Sequence, residues 1–148
     1  MYEEAVKKTL EYFSDDYNCS QAVLKGIIEE LGYSFDEAPM VTAAYGGGII
    51  GRGEICGAVS GALMALGVIN GNKISNLVEF KKATSEDSKA FYEQFEEKFG
   101  CSTCNGIIGV DPNDPDGRQK ASDAGIFAER CPKFVAEAVR IVLAMHKK

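Results

Sequence analysis

The sequence has few of the residues that hydrolytic and nucleic-acid-binding proteins depend on. Its single histidine, His146, lies near the end of the chain, where a cation suits the last turn of a helix. No serine or cysteine has a histidine base near it in sequence, so we expect no triad chemistry. The 16 lysines and arginines are outnumbered by 22 aspartates and glutamates, giving a net charge of -6. Such a chain repels phosphate backbones, so we expect no nucleic-acid partner.

Long apolar runs are also missing. The longest uncharged stretch begins at Ile55 and is apolar only as far as Ile69, with many small residues. A membrane span needs about 20 apolar residues, so we predict a buried helix there and no membrane insertion. The first eight residues lack the basic segment and apolar core of a secretion signal. We therefore expect a cytoplasmic protein.

Alternating strand patterns are almost absent, whereas apolar residues recur at helical spacing, as in Phe91, Phe95 and Phe99. With 148 residues and 45% hydrophobic content, the chain can close one core unaided. We predict one all-α domain over residues 1–148, a helical bundle of about six to seven helices with a glycine-rich loop before a central helix. The predicted helices cover residues 2–13, 19–31, 36–44, 54–69, 74–99, 115–124 and 132–146.

Capping residues support several of these boundaries. Asn18 and Gln21 have the spacing of a capping box, and Gly32 follows Leu31 where a C-terminal glycine belongs. Pro132 occupies a position typical of the first turn of a helix. These signals predict a helix start at Cys19 and another at Cys131.

The five cysteines do not suggest a disulfide framework, because a cytosolic domain with an adequate core keeps its thiols reduced. Cys19, Cys56, Cys104 and Cys131 each fall at or within the first turn of a predicted helix, that of Cys104 being the short apolar stretch that ends at Ile108. Helix starts favour thiolates, which are both nucleophiles and metal ligands. Four such starts facing one pocket would form a reactive dithiol centre or a four-thiolate metal site. The alternative is that these cysteines are small buried hydrophobes.

These cysteines lie in four ordered sequence elements: residues 18–23 (NCSQAV), residues 45–49 leading to 53–62 (GEICGAVSGA), residues 99–109 around Cys104, and residues 131–133 (CPK). In these elements the sequence resembles the redox-active protein family named for the cysteine pattern C_GCAxxG_C_C. The resemblance covers most of the chain. It implies a redox role carried by Cys19, Cys56, Cys104 and Cys131 and names no substrate.

Cys101 is an additional cysteine. With Cys104 it forms a Cys-x-x-Cys, but the strand and helix context of a thioredoxin site is missing. Cys101 is either a local resolving thiol or an incidental residue. Covalent haem attachment is not expected, because Asn105 follows Cys104 where histidine would be required.

The leading hypothesis is thiol-disulfide or electron transfer, in an oxidoreductase or an electron-transfer protein, with Cys56 as the attacking low-pKa thiolate. The alternative is that Cys19, Cys56, Cys104 and Cys131 bind an iron-sulfur cluster, or zinc as a less favoured choice. A partner-binding module with incidental cysteines is a third hypothesis. The sequence does not name the redox partner or small molecule, and its small-residue helix could also serve a homodimer.

The glycine-rich segment before Cys56 is the candidate binding loop. Gly46, Gly48 and Gly51 have the spacing of a dinucleotide-binding loop, but no convincing strand precedes them and no acidic residue follows at the required distance. We predict instead that Gly46, Gly47 and Gly48, with Arg52 beside them, bring bare backbone near Cys56 and admit a small anion or substrate. The acidic residues 111–116 do not fit a calcium loop.

Overall fold

The computed structural model describes residues 2–147, which form helices joined by short loops. Six of the eight α-helices have seven or more residues, and within the described range the only strand-like pairing is one isolated bridge between Ile55 and Thr103. The all-α prediction is therefore confirmed. The helices are α1 (Glu3–Ser14), α2 (Cys19–Glu30), α3 (Ala38–Val41), α4 (Gly57–Lys73), α5 (Leu77–Phe99), α6 (Cys104–Ile108), α7 (Gly117–Asp123) and α8 (Ile126–His146).

Five of the predicted helices match observed helices to within four residues at each end, and two differ more substantially. The predicted helix over 36–44 is a single turn, α3, followed by a 3-10 turn over Ala43–Tyr45. The predicted helix start at Pro132 is wrong, because α8 begins at Ile126, after Gly125 in the left-handed conformation. Pro132 lies inside α8, where it removes one backbone hydrogen bond from the helix. Cys131 therefore lies in the second turn of this helix and not at its start.

Helix α4 occupies the centre of the bundle, as the sequence predicted, and packs against α2, α5 and α8. Its apolar residues point in all directions, and Ala58, Val59, Ala62 and Leu66 are fully buried. Gly61 allows α2 to approach closely: a Cβ atom at this position would lie 2.6 Å from the Ser20 carbonyl oxygen. This close contact sets the position of the start of α2 against the start of α4.

Aromatic side chains join α5 to α8. The Phe95 ring lies between those of Phe91 and Phe99, with centroid distances of 5.7 and 4.9 Å, and Phe134 of α8 meets Phe99 edge-on at 4.8 Å. The helical spacing of the three α5 phenylalanines thus places them on one buried face.

Among the described residues, no helix combines the length and apolar character that a bilayer crossing requires.

Candidate functional site

A single cavity of about 790 Å³ is lined by the four cysteines that the sequence singled out, Cys19, Cys56, Cys104 and Cys131. Each of them is a free cysteine. They come from four different helices or helix ends, so the bundle brings together residues that are far apart in sequence. Most of the remaining lining is apolar, including Leu10, Phe13, Ile107, Phe127, Phe134 and Val135.

Cys19 is the first residue of α2, and the predicted capping box holds this helix start in place. The Asn18 side chain accepts a hydrogen bond from the Gln21 backbone N–H, and the Gln21 side chain accepts one from the Asn18 backbone N–H. Asn18 also donates from Nδ2 to the Ala43 carbonyl at 3.1 Å, and Gln21 donates to the Pro39 carbonyl at 2.9 Å. The start of α2 is therefore fixed to the segment that leads into the glycine-rich loop.

That loop adopts an uncommon backbone conformation. Five consecutive residues from Gly47 to Gly51 have positive φ angles, including Ile49 (65°) and Ile50 (47°). Branched residues rarely adopt this conformation, and such strained segments occur preferentially at functional sites. Gly48 is also in close contact with α6, since a Cβ atom there would lie 2.7 Å from Cys104 Cβ. The glycines let the loop pack directly against Cys104.

A short backbone pairing joins Cys56 to the Cys104 segment. The Cys56 N–H donates to the Ser102 carbonyl at 2.8 Å, and the Cys104 N–H donates to the Glu54 carbonyl at 2.6 Å. These bonds flank the bridge between Ile55 and Thr103. They align the start of α4 with the start of α6, which puts both cysteines on the wall of the same cavity.

Cys19 lies against the start of α4, beside Cys56. A Cβ atom at Gly57 would lie only 2.0 Å from Cys19 Sγ. The sulfur therefore occupies space that any residue larger than glycine would need at the position next to Cys56. Glycine at this position permits the approach of the two cysteines.

Burial is the largest influence on the pKa of three cavity thiols, Cys19, Cys56 and Cys131. It raises the pKa of Cys56 well above its ordinary value, although the backbone N–H groups of Ala58 and Val59 oppose the shift. Burial also raises the pKa of Cys19, against the Gly47 backbone N–H. It raises the pKa of Cys131 to about 12, with added repulsion from Cys19 and Cys104. The predicted low pKa of Cys56 is therefore wrong, because desolvation outweighs the helix start.

Sequence analysis missed Arg118, which supplies a positive charge to the cavity wall. Its Nη1 donates to Cys104 Sγ at 3.4 Å and to Asn105 Oδ1 at 2.8 Å. The guanidinium also lies 5.1 Å from the centre of the Phe127 ring. Arg118 belongs to α7, and no motif in that segment marks it, so only its side-chain contacts with α6 reveal its position.

The four residues predicted to bind a ligand lie in different surroundings. Gly47 lines the cavity, whereas Gly46, Gly48 and Arg52 are not among its lining residues. Gly46 packs on the side chain of Asn18. Arg52 is largely exposed and pairs with Glu54 at 3.2 Å. Ligand binding by these four residues stays a prediction.

Cys101 is not among the lining residues of the cavity, and its thiol lies 3.2 Å from the Thr103 hydroxyl. Hydrogen bonding by Thr103 lowers its pKa from the ordinary value. The Cys-x-x-Cys therefore combines one thiol outside the cavity, Cys101, with one on its wall, Cys104.

Metal binding was the alternative role predicted for the four cavity cysteines. Thiolates suit iron-sulfur clusters and zinc. However, in residues 2–147 no three histidine, cysteine, aspartate or glutamate side chains are grouped as ligands of one metal ion. As placed here, the cysteines share a cavity without forming a ligand set.

Comparison with known proteins gives a family. The family model described as "Putative redox-active protein (C_GCAxxG_C_C)" matches residues 17–145. A curated relative from Archaeoglobus fulgidus, with the printed name "Uncharacterized protein", is 26% identical over 153 residues, covering 98% of this chain and 95% of the relative. No solved structure gives a significant match. Since the family model covers most of the chain and includes all four cavity cysteines, the chain belongs to the C_GCAxxG_C_C family.

Proposed function

We propose that this protein carries out thiol-disulfide redox chemistry, with Cys19 and Cys56 as the pair that forms a reversible disulfide. The observation that carries the proposal is the contact of Cys19 Sγ with Gly57, the residue next to Cys56. Both cysteines lie at helix starts, and both sulfurs face backbone N–H groups. These N–H groups favour the negative charge that a sulfur carries during thiol-disulfide exchange.

The reaction converts two thiols to one disulfide. One cysteine loses its proton and attacks a sulfur of an acceptor disulfide, which breaks the acceptor S–S bond, releases one acceptor thiol and leaves a mixed disulfide. The second cysteine then attacks the mixed disulfide, which forms the Cys19–Cys56 bond and releases the rest of the acceptor as a second thiol. Two protons and two electrons leave the protein in each cycle, and the reverse reaction returns them. Cys104 and Cys131 line the same cavity, so they are placed to exchange with the first pair.

Burial raises the pKa of both Cys19 and Cys56 above the ordinary value of a thiol. Both thiols of the proposed pair are therefore predominantly protonated at neutral pH. The attacking thiolate must therefore form in the presence of the acceptor. We expect oxidation to be slow with small, weakly bound oxidants and faster with an acceptor that fills the cavity.

A four-thiolate metal site is the second candidate. The shared cavity supports it, but the lack of any three grouped ligands in the described chain makes it the weaker candidate. An iron-sulfur protein purified without oxygen absorbs visible light, and elemental analysis detects zinc or iron directly. Stoichiometric iron or zinc that is lost in Cys56→Ser would favour this candidate over the dithiol.

The decisive experiment starts from protein purified without oxygen and fully reduced. Thiols are titrated before and after treatment with diamide, and the disulfide is located by peptide mapping. We expect two fewer thiols and a peptide linking Cys19 to Cys56. Reduction with dithiothreitol should restore both thiols.

Two variants make the result specific. Cys56→Ser should abolish the Cys19–Cys56 peptide, whereas Cys101→Ser removes a thiol outside the cavity and should leave it unchanged. Because a small oxidant is expected to react slowly, the proposal is wrong if all cavity thiols of the wild type remain titratable after prolonged treatment with excess diamide. A disulfide confined to Cys101 and Cys104 would also contradict it.

A further inference from the structure

The cavity that holds the cysteines also has the features of a small-molecule binding site. Its volume of about 790 Å³ lies in the range of ligand sites, on the order of 300–1,000 Å³. Aromatic and aliphatic side chains, among them Phe13, Phe127 and Phe134, form much of its wall. Such a wall favours a ligand with an apolar body over a hydrophilic one.

The described part of the cavity wall carries positive charge only. Among the described residues that line the cavity, Arg118 is the one charged side chain, and no aspartate or glutamate is present. A cationic ligand would therefore find no counter-charge there. A ligand with several phosphates would find only one cation. The wall is complementary to a molecule with a single negative group.

Arg118 is arranged to bind such a group. In the described part of the chain no carboxylate forms an ion pair with it. The hydrogen bonds of its guanidinium to Cys104 and Asn105 both use Nη1. The N–H groups on Nη2 and Nε thus have no protein acceptor, and two parallel N–H groups are what a carboxylate requires.

Neighbouring groups hold the guanidinium in this orientation. Asn105 accepts from Nη1 at 2.8 Å, and the Phe127 ring packs against the guanidinium. Nη2 points toward Gly47, where an added Cβ atom would lie 3.2 Å away. A side chain at Gly47 would fill the space beside the free N–H groups.

We propose that the cavity binds a small organic molecule with an apolar body and one anionic group, and that Arg118 binds the anionic group. This inference rests on the proposed function, because the ligand would lie beside the redox-active cysteines as substrate or acceptor. It specifies the polarity and the charge of that partner.

The test measures binding by isothermal titration calorimetry to reduced protein, with octanoate as the anionic probe and 1-octanol as its neutral counterpart. We expect octanoate to bind, and Arg118→Gln to weaken octanoate binding at least tenfold while leaving 1-octanol binding unchanged. The matched control is Arg140→Gln, which removes an arginine paired with Glu3 and Glu137 outside this cavity. It should bind octanoate like the wild type.

The outcomes separate this inference from the redox proposal. Equal octanoate affinity in Arg118→Gln and the wild type, or no octanoate binding by the wild type, overturns the inference. Loss of both octanoate and 1-octanol binding in Arg118→Gln also overturns the assigned role, because it means that Arg118 maintains the shape of the cavity and does not bind the anionic group specifically. Diamide oxidation of the same wild-type sample tests the disulfide independently, so binding without a disulfide refutes only the redox proposal.

Discussion

At the residue scale, three cavity cysteines differ from Cys101 in the direction of their pKa shift. Cys19, Cys56 and Cys131 lie on the cavity wall, where burial raises their pKa values. Cys101 lies outside it and has a lowered pKa. A helix start alone therefore does not make a thiol reactive, because the favourable N–H contacts compete with a larger desolvation effect.

This difference predicts the order in which the thiols are alkylated. A lowered pKa gives Cys101 a larger thiolate fraction at pH 8, whereas Cys131, with a pKa of about 12, is protonated there. We expect iodoacetamide to modify Cys101 first and the rate at Cys131 to keep rising above pH 10. Mass spectrometry of timed samples measures both. Faster labelling of Cys131 than of Cys101 at pH 8 would contradict the assignment.

The left-handed loop gives a second prediction at this scale. Gly48 and Gly51 have similar φ angles, 71° and 74°, but a Cβ atom at Gly48 would meet Cys104 and Glu54, whereas one at Gly51 would meet nothing within 4 Å. Both substitutions by alanine should destabilise by roughly 1–2 kcal/mol through backbone strain. Gly48→Ala should lose about 1–3 kcal/mol more through overpacking. Urea unfolding measures the difference, and equal free energies of unfolding would refute the close contact.

At the element scale, the packing of α4 against α2 decides where the cysteines meet. Gly57 and Gly61 of α4 both face α2, toward Cys19 and Ser20. Residues without side chains let the two helices approach closely enough for the Cys19 sulfur to reach the start of α4. The sequence analysis considered this small-residue helix as a possible homodimer surface. At Gly57 and Gly61 it contacts α2 of the same chain instead.

Two glycines of α4 test this packing. Gly61→Ala should destabilise the protein by about 1–3 kcal/mol, because its Cβ atom would lie 2.6 Å from the Ser20 carbonyl oxygen. Gly67→Ala places its Cβ atom where nothing lies within 4 Å, and should stabilise the helix by roughly 0.5–1 kcal/mol. Urea midpoints of the two variants should move in opposite directions. A stabilised Gly61→Ala would mean that α2 and α4 are not in close contact.

At the scale of the whole molecule, one cluster of buried residues includes members of every α-helix, from Ala5 of α1 to Leu143 of α8. The end of α8 is joined to α5 by His146, whose Nε2 lies 2.8 Å from Asp87 Oδ2. Lys73 of α4 lies 3.1 Å from Nδ1 of the same ring. His146 therefore contributes to tertiary contacts between three helices.

A shared core predicts one cooperative unfolding transition for the chain. The protein has six tyrosines and no tryptophan, so tyrosine fluorescence reports tertiary structure and far-UV circular dichroism reports helix content. We expect the two urea curves of the reduced protein to coincide. Two separated transitions would show that the chain contains more than one folding unit and would contradict the single-domain prediction.

The sequence by itself determined the helical class, the capping box at Asn18 and the set of four cysteines, because these depend on local periodicity, local hydrogen bonding and ordered motifs. It placed the start of α8 wrongly, because proline is typical of the first turn of a helix. Pro132 instead lies inside α8, where it removes one backbone hydrogen bond. Only the tertiary structure decided that the four cysteines share a cavity, that burial raises the pKa of Cys56, and that Arg118 lies beside Cys104. Desolvation and side-chain contacts between distant helices depend on how the whole bundle packs, and no local pattern in the sequence records them.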